Sequence, residues 1–185
     1  AINNTAIGTN ALILNTTGTR NTAVGSLAGD AITDGLANVL IGTNAGGGGN
    51  FTSVVAVGDN ALLVNTANNN TAVGQEAMVA NTSGSENTAV GQGALSSNTT
   101  AIENTAVGRN ALTLNTTGAK NTAVGAYSLD ANTTGGNNSA FGREALTKNT
   151  SGSQNTGYGL EALKENTTAS NNTAVGYQSL KLNTT

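Results

Sequence analysis

The chain has 185 residues, of which 9% are charged and 3% aromatic, and it contains no Trp, Pro, Cys or His. A typical globular domain carries about 25% charged residues, so this surface must consist largely of Asn, Thr, Ser and Gly. The net charge of −3 argues against nucleic-acid binding, which needs a clustered basic face. Without Cys or His, the chain lacks the residues of soft metal sites and of catalytic triads. We therefore expect no metal, no cofactor and no enzymatic activity.

The chain is built from 11 imperfect copies of one 17-residue unit, of which Asn104 to Lys120, NTAVGRNALTLNTTGAK, is a regular example. Nine copies have 17 residues and two have 16, if the first three residues of the chain complete the last copy. A fixed period near this size predicts a solenoid in which each copy forms one coil. We expect an all-β fold, a parallel β-solenoid (β-roll) of 11 coils, as a single domain over residues 1–185. Counting the initial Asn of the unit as position one, position five holds a glycine in every coil, and a bend or a close backbone approach explains this choice. These structural turn glycines are Gly8, Gly25, Gly42, Gly58, Gly74, Gly91, Gly108, Gly125, Gly142, Gly159 and Gly176.

Coils 2 to 4, residues 21–69, depart from the unit, whereas the pattern runs almost unbroken from residue 70 onward. Gly29 and the run Gly46 to Gly49 remove the usual Leu from position nine, and Val54 replaces Asn at position one. Large apolar residues appear instead at atypical places: Leu36, Leu40 and Phe51. We interpret this region as drift or a local bend of the repeat, with a contact site for a partner as the alternative.

Each unit predicts two short strands, TAVG and ALTL in the regular copy, because Thr and Val suit a pleated surface. The Gly and NTTG elements between them supply turn chemistry. Alternation along a strand predicts that Ala106 and Val107 point to opposite sides, and that Ala111 and Leu112 do so too. Both faces of a coil would then be apolar, so either the Ala rows or the Val and Leu rows point outward. Burial of this second face predicts a homo-oligomer, most simply a homotrimer.

Asn recurs at position one in ten coils and at position twelve in nine. Stacked coils would bring equivalent carboxamides about 4.8 Å apart, which allows side-chain ladders. The same spacing gives 11 coils a length of roughly 50 Å. The ladder that we predict at position twelve consists of Asn15, Asn65, Asn81, Asn98, Asn115, Asn132, Asn149, Asn166 and Asn183.

A few surface residues invite a functional interpretation. Tyr127 and Tyr177, at outward positions seven and six, are candidate contacts for a glycan or a protein partner, although isolated exposed aromatic residues are common. Glu161 and Glu165 fall at outward positions, where we expect solvated carboxylates. No apolar run approaches the roughly 18 residues of a membrane span, so we expect no membrane insertion.

The unit NTAVGxxAL…NTTG, as in Asn121 to Gly125 and Asn172 to Gly176, resembles repeats of phage and phage-like tail-fibre proteins, which often end in a self-cleaving chaperone domain. It is also similar to the head repeats of trimeric autotransporter adhesins, which form a left-handed parallel β-roll of three intertwined chains, although the period here is longer. The resemblance covers essentially the whole chain. It implies a homotrimer with an adhesive role on a virion or cell surface.

The leading hypothesis is a non-enzymatic, rigid segment of an extracellular fibre: a tail fibre, an adhesin stalk or a self-stacking secreted filament. Joining Thr185 to Ala1 would keep a 17-residue spacing between Gly176 and Gly8, so end-to-end copies of the chain are candidate partners. One alternative is an ice-binding β-solenoid, because Thr recurs at position two in eight coils; against it, that Thr shares a face with Val and burial would hide it. Another alternative is a fibre that binds or depolymerises polysaccharide.

Overall fold

The computed structural model describes residues 1–184 and has 11 parallel β-strands, with no helix among these residues. Each strand has three residues, and consecutive strands pair in chain order within one sheet. The predicted all-β parallel β-solenoid is thereby confirmed. Thr185, on which the predicted end-to-end joint depends, lies outside the described residues, and no described segment forms a helix able to cross a membrane. The strands are β1 Thr5–Ile7, β2 Thr22–Val24, β3 Val39–Ile41, β4 Val55–Val57, β5 Thr71–Val73, β6 Thr88–Val90, β7 Thr105–Val107, β8 Thr122–Val124, β9 Ser139–Phe141, β10 Thr156–Tyr158 and β11 Thr173–Val175.

Equivalent positions pair along the whole sheet, so that Thr105 lies beside Thr122 and Val107 beside Val124. Most backbone hydrogen bonds join neighbouring coils: the amide of Thr105 donates to the carbonyl of Asn121 over 2.8 Å, and that of Gly125 donates to the carbonyl of Val107 over 2.8 Å. Because these bonds are made between coils, a coil satisfies its backbone only when it is stacked.

The predicted second strand at positions eight to eleven is wrong. The chain forms successive turns there, and Asn110 and Leu112 have φ angles of 54° and 53°. This left-handed conformation costs a non-glycine residue about 1–2 kcal/mol, which burial of the Leu side chain offsets. Ala111 and Leu112 are both buried, so the prediction that they face opposite sides is also wrong. The turns, unlike an extended strand, direct both side chains into the interior.

In β7 the prediction of opposite faces is confirmed, because Ala106 is fully buried whereas Val107 and Thr105 are partly exposed. The interior of the regular coils therefore contains the Ala residues of positions three and eight and the Leu of position nine. The side chains that point outward from the strands are those at positions two and four of the repeat unit.

The irregular coils keep the sheet register but fill their interior differently. Leu40 stands at position three, where the regular coils have Ala, and it occupies the space above two glycines. A Cβ added to Gly29 would lie 2.6 Å from Leu40 Cδ1, and one added to Gly46 would lie 2.6 Å from Leu40 Cδ2. Phe51 is buried beside them. The side-chain volume that is missing at position nine is thus supplied from position three. This compensation favours the interpretation of the region as drift of the repeat.

Candidate interaction surface

The outward side of the sheet forms one continuous surface, which we call the strand face and define as the side chains at positions two and four of β1 to β11. No strand residue is charged. Position two holds Thr in eight coils, and Val39, Val55 and Ser139 in the other three. Position four is apolar or aromatic in every coil: Ile7, Val24, Ile41, Val57, Val73, Val90, Val107, Val124, Phe141, Tyr158 and Val175.

The strand face exposes much of its apolar row. In the single chain the exposed fraction is 37% for Val90, 39% for Ile41 and 58% for Tyr158. A surface three residues wide and roughly 50 Å long covers about 500 Å². Within this surface an apolar row runs along position four beside an uncharged row at position two, so the strand face is the candidate interaction surface.

The threonine hydroxyls of the strand face have no hydrogen-bond partner within residues 1–184, in contrast to those at position thirteen. There, Thr116 Oγ1 donates to the carbonyl of Thr133 over 3.1 Å, and Thr99 does the same to Thr116. The outward direction of the strand threonines removes the expectation that burial would hide them. Their hydroxyls are free to bond to water or to another molecule: Thr5, Thr22, Thr71, Thr88, Thr105, Thr122, Thr156 and Thr173.

The Asn residues of position twelve form a row inside the solenoid. The Nδ2 atom of Asn115 donates to Asn98 Oδ1 over 3.1 Å and to the carbonyl of Gly118 over 2.9 Å. Equivalent bonds join successive coils from Asn65 to Asn183. Asn15 is cut off from this row because Ile32 occupies position twelve of coil 2, and Asn15 Oδ1 is buried with no partner.

The Asn residues of position one form a second row. The Oδ1 atom of Asn104 accepts from the amide of Asn121 over 2.9 Å, and its Nδ2 atom donates to the carbonyl of Gly118 over 3.0 Å. Both carboxamide rows thus meet at the carbonyl of position fifteen. Because these side chains are buried and hydrogen-bonded within the chain, their contribution is to satisfy the polar interior, and they present nothing to a ligand.

The glycines of position five lie where the backbones of consecutive coils are in close contact. Gly108 has a φ angle of 138°, and an added Cβ would lie 2.6 Å from the carbonyl carbon of Gly125. Both the backbone conformation and the contact therefore require glycine. The other ten glycines at this position have φ angles in the same region.

The two tyrosines that the sequence suggested as contacts lie in different environments. Tyr177 is 70% exposed, whereas Tyr127 is half-buried and lies under the guanidinium of Arg109, 5.5 Å from the ring centroid. Sequence reasoning missed Tyr158, which is exposed on the strand face and stacks on Phe141 with ring centroids 5.6 Å apart. Phe141 and Tyr158 replace the aliphatic residue that is usual at position four, and this departure from the repeat was the sequence signal that could have identified them.

Charged side chains form a ladder of ion pairs beside positions seven and ten in the last three coils. Glu161 accepts hydrogen bonds from Lys181 over 2.6 Å, Lys164 over 2.9 Å and Gln178 over 2.8 Å. The bonds from Lys181 and then Lys164 lower the pKa of Glu161 to about 2. Glu165 pairs with Lys148 over 2.6 Å. The expectation that Glu161 and Glu165 are simply solvated is therefore wrong.

Residues 1–184 contain no surface pocket and no group of three side chains placed to hold a metal ion. Comparison with protein-family models, with curated proteins and with solved structures gives no match for this chain.

Proposed function

We propose that the chain is a rigid, non-enzymatic rod within an extracellular fibre (a tail fibre, an adhesin stalk or a secreted filament) and that copies of it associate through the strand face, with a homotrimer as the favoured assembly. The observation that carries this proposal is the uncharged, apolar row at position four, which continues through all 11 coils. The likeness of the repeat unit to tail-fibre and adhesin-head repeats supports the location on a virion or cell surface.

The shape of the strand face suits an interface between chains. It is three residues wide, about 10 Å, and roughly 50 Å long. Its footprint of about 500 Å² for each copy is smaller than the roughly 800 Å² that one partner contributes to a standard stable interface, so side chains that flank the strands must add to the contact. The absence of charge along the strands removes the desolvation penalty that buried ions would impose.

The rigidity of the rod follows from the same repeat. Each coil is bonded to the next through backbone groups on several sides, and two interior rows of Asn link the coils a second time. Such a solenoid has no hinge within its regular part, so it can hold other parts of a fibre at a fixed distance.

Light scattering on the purified chain, combined with electron microscopy, tests the proposal. We expect discrete particles with three times the 18.1 kDa chain mass. The double variant Val107→Lys with Val124→Lys places charges on the strand face and should yield monomers with an unchanged circular dichroism spectrum. The control Thr117→Lys, at an exposed residue outside the strand face, should leave the trimer intact. A monomeric wild-type chain would contradict the proposal.

Ice binding is a second candidate, which the unpartnered row of strand threonine hydroxyls favours. Hydroxyls repeated about every 4.8 Å along a rod could bond to an ordered layer of water. The two candidates compete for the same surface, because association through the strand face would cover the threonines. A monomer that shows thermal hysteresis, which Thr105→Lys abolishes, would establish ice binding; a chain without hysteresis would exclude it.

A further inference from the structure

We infer that a second copy of this chain packs on the strand face in parallel and in register, and that the side chains of coils 9 and 10 fix this register; the inference rests on the proposed homo-oligomer. The problem of register arises because most coils present the same strand, TAV or TAI. On such a surface a shift of one coil, about 4.8 Å, restores the same contacts, so the regular coils cannot select one alignment.

Closed rings of identical chains place every copy at the same height along the ring axis. When the strand faces of parallel rods surround such an axis, their strands all run in the same sense around it. Position four of one copy then lies against position two of the same coil in the next copy. In a regular coil this places Thr105 opposite Val107.

Coil 9 has matching departures at these two positions. Phe141 replaces the aliphatic residue of position four, and Ser139, the smallest side chain of the position-two row, stands in the same coil. In-register packing therefore places the large ring of one copy opposite the small hydroxyl of the next. A shift by one coil would place Phe141 against Thr122 or Thr156, which carry an additional methyl group at a site that must already hold the ring.

Coil 10 has a complementary pair of a different kind. Tyr158 is 58% exposed and carries a hydroxyl, and the buried hydroxyl of a tyrosine usually requires a hydrogen-bond partner. Thr156, in the same strand, has a hydroxyl without a partner within the described chain. In register, the phenol of one copy approaches the free hydroxyl of Thr156 in the next, so coil 9 matches by size and coil 10 by hydrogen bonding.

The packing of Phe141 within its own chain does not explain Ser139. Phe141 stacks on Tyr158 of the neighbouring coil, and Tyr158 itself shares its strand with a threonine. An aromatic residue at position four is thus compatible with Thr at position two when only one chain is considered. The small size of Ser139 is explained when the Phe141 ring of a second copy lies opposite it.

Because the chain has no cysteine, engineered disulfides can report the alignment. We expect the variant Thr105→Cys with Val107→Cys to form covalent oligomers on oxidation. Two same-strand positions lie about 6.6 Å apart, too far for the Cβ separation of a disulfide, so these links must join different chains. The shifted pair Thr105→Cys with Val124→Cys should not cross-link. Single Thr88→Cys tests an antiparallel arrangement, in which coil 6 would face itself, and it should also remain uncross-linked.

Restoring the regular unit tests the role of coil 9. Ser139→Thr should raise the dissociation constant of the oligomer about tenfold, as expected for an overpacked contact, while Ser151→Thr, at an exposed residue of the same coil outside the strand face, should have no effect. Adding Phe141→Val to Ser139→Thr should recover the affinity but allow the shifted pair to cross-link.

A wild-type oligomer in which Ser139→Thr leaves the dissociation constant unchanged would overturn the inference and leave the proposed function standing. Cross-linking of Thr88→Cys, or of the shifted pair in the wild-type background, would overturn it as well. A monomeric wild-type chain, recognised before any variant is made, would instead overturn the proposed function and the inference together.

Discussion

Coils 2 to 4 and coils 5 to 11 build the same outer shape from different interiors. Most of the regular coils place a small Ala at position three and a Leu at position nine, whereas coil 3 places Leu40 at position three, and coils 2 and 3 have Gly29 and Gly46 at position nine. The sheet register is identical in both regions. The backbone hydrogen-bond ladder is thus the same throughout the fold. The positions that hold the large core side chains can differ between coils, provided that the total side-chain volume is similar.

The two regions also differ in how they are held together inside. In the regular coils a continuous row of carboxamides joins the interior, but at position twelve of coil 2 this row gives way to Ile32, with Val54 replacing Asn at position one of coil 4. At position twelve of coil 2 the irregular region therefore depends on apolar packing, although at position one it keeps the buried hydrogen bonds of Asn21 and Asn38. The two kinds of interior should respond differently to mutation.

The largest effect is expected from breaking the carboxamide row of the regular region. Asn115→Leu removes the acceptor of Asn132 and the donor to Asn98, leaving buried polar groups unpaired on two neighbouring coils. At about 1–3 kcal/mol for each such group, the free energy of unfolding should fall by about 4 kcal/mol. Chemical denaturation measures it. Ile32→Leu in the irregular region serves as the control and should cost less than 1.5 kcal/mol; equal losses would show that the row contributes nothing special.

A smaller loss is expected from emptying the irregular core. Leu40→Ala should cost about 3 kcal/mol, because the side chain fills the space above two glycines. Gly46→Leu alone should also destabilise, since the new Cβ would lie 2.6 Å from Leu40 Cδ2 and 2.9 Å from Phe51 Cζ. The double variant removes the contact with Leu40 and should be more stable than Gly46→Leu alone. A double-mutant cycle with no coupling would refute the exchange of volume.

A gain in stability is expected at Asp130, a position ten residue of the regular region. Its Oδ1 atom is buried without a partner, and burial raises its pKa. The charged form is therefore disfavoured in the folded chain, so Asp130→Thr, which copies Thr113 and Thr147 of the adjacent coils, should add about 1 kcal/mol at pH 7. Because protonation relieves the wild-type chain at low pH, the gain should shrink as the pH falls. Thermal unfolding of the wild-type chain and the variant, at pH 7 and at an acidic pH, checks the direction of this change in stability.

The smallest effect concerns the charged ladder of coils 9 to 11, which has no counterpart in coils 2 to 4 among the described ion pairs. The pKa of Glu161 is about 2 in the folded chain, below its ordinary value of 4.5. Its stabilisation is therefore present above pH 4.5 and is lost as the pH falls toward 2. Hydrogen exchange should show the last coils opening more readily at pH 2.5 than at pH 6. Glu161→Gln should remove most of that difference, and an unchanged difference would assign it to other groups.

The sequence predicted the repeat, the first strand of each coil and the opposite directions of Ala106 and Val107, because period and alternation are local properties. It did not predict the left-handed residues of the turns, since Leu112 and Tyr127 are not residues that favour this conformation. The outward direction of the Val row depended on those turns. Ala and Val are both apolar, so hydropathy alone left open which row faces solvent, and the strand face followed only from the path of the backbone.

The hydrogen bonds of each strand, made to the neighbouring coil, have a mechanical consequence. A coil at the end of the rod holds only one neighbour, so tension applied along the axis should peel coils one at a time. Each peeled coil exchanges an axial rise of about 4.8 Å for an extended chain of roughly 60 Å. Under a sudden pull, a fibre segment of this kind would lengthen in nearly equal steps, one coil at a time. This stepwise unfolding would dissipate energy while the remaining coils stay folded.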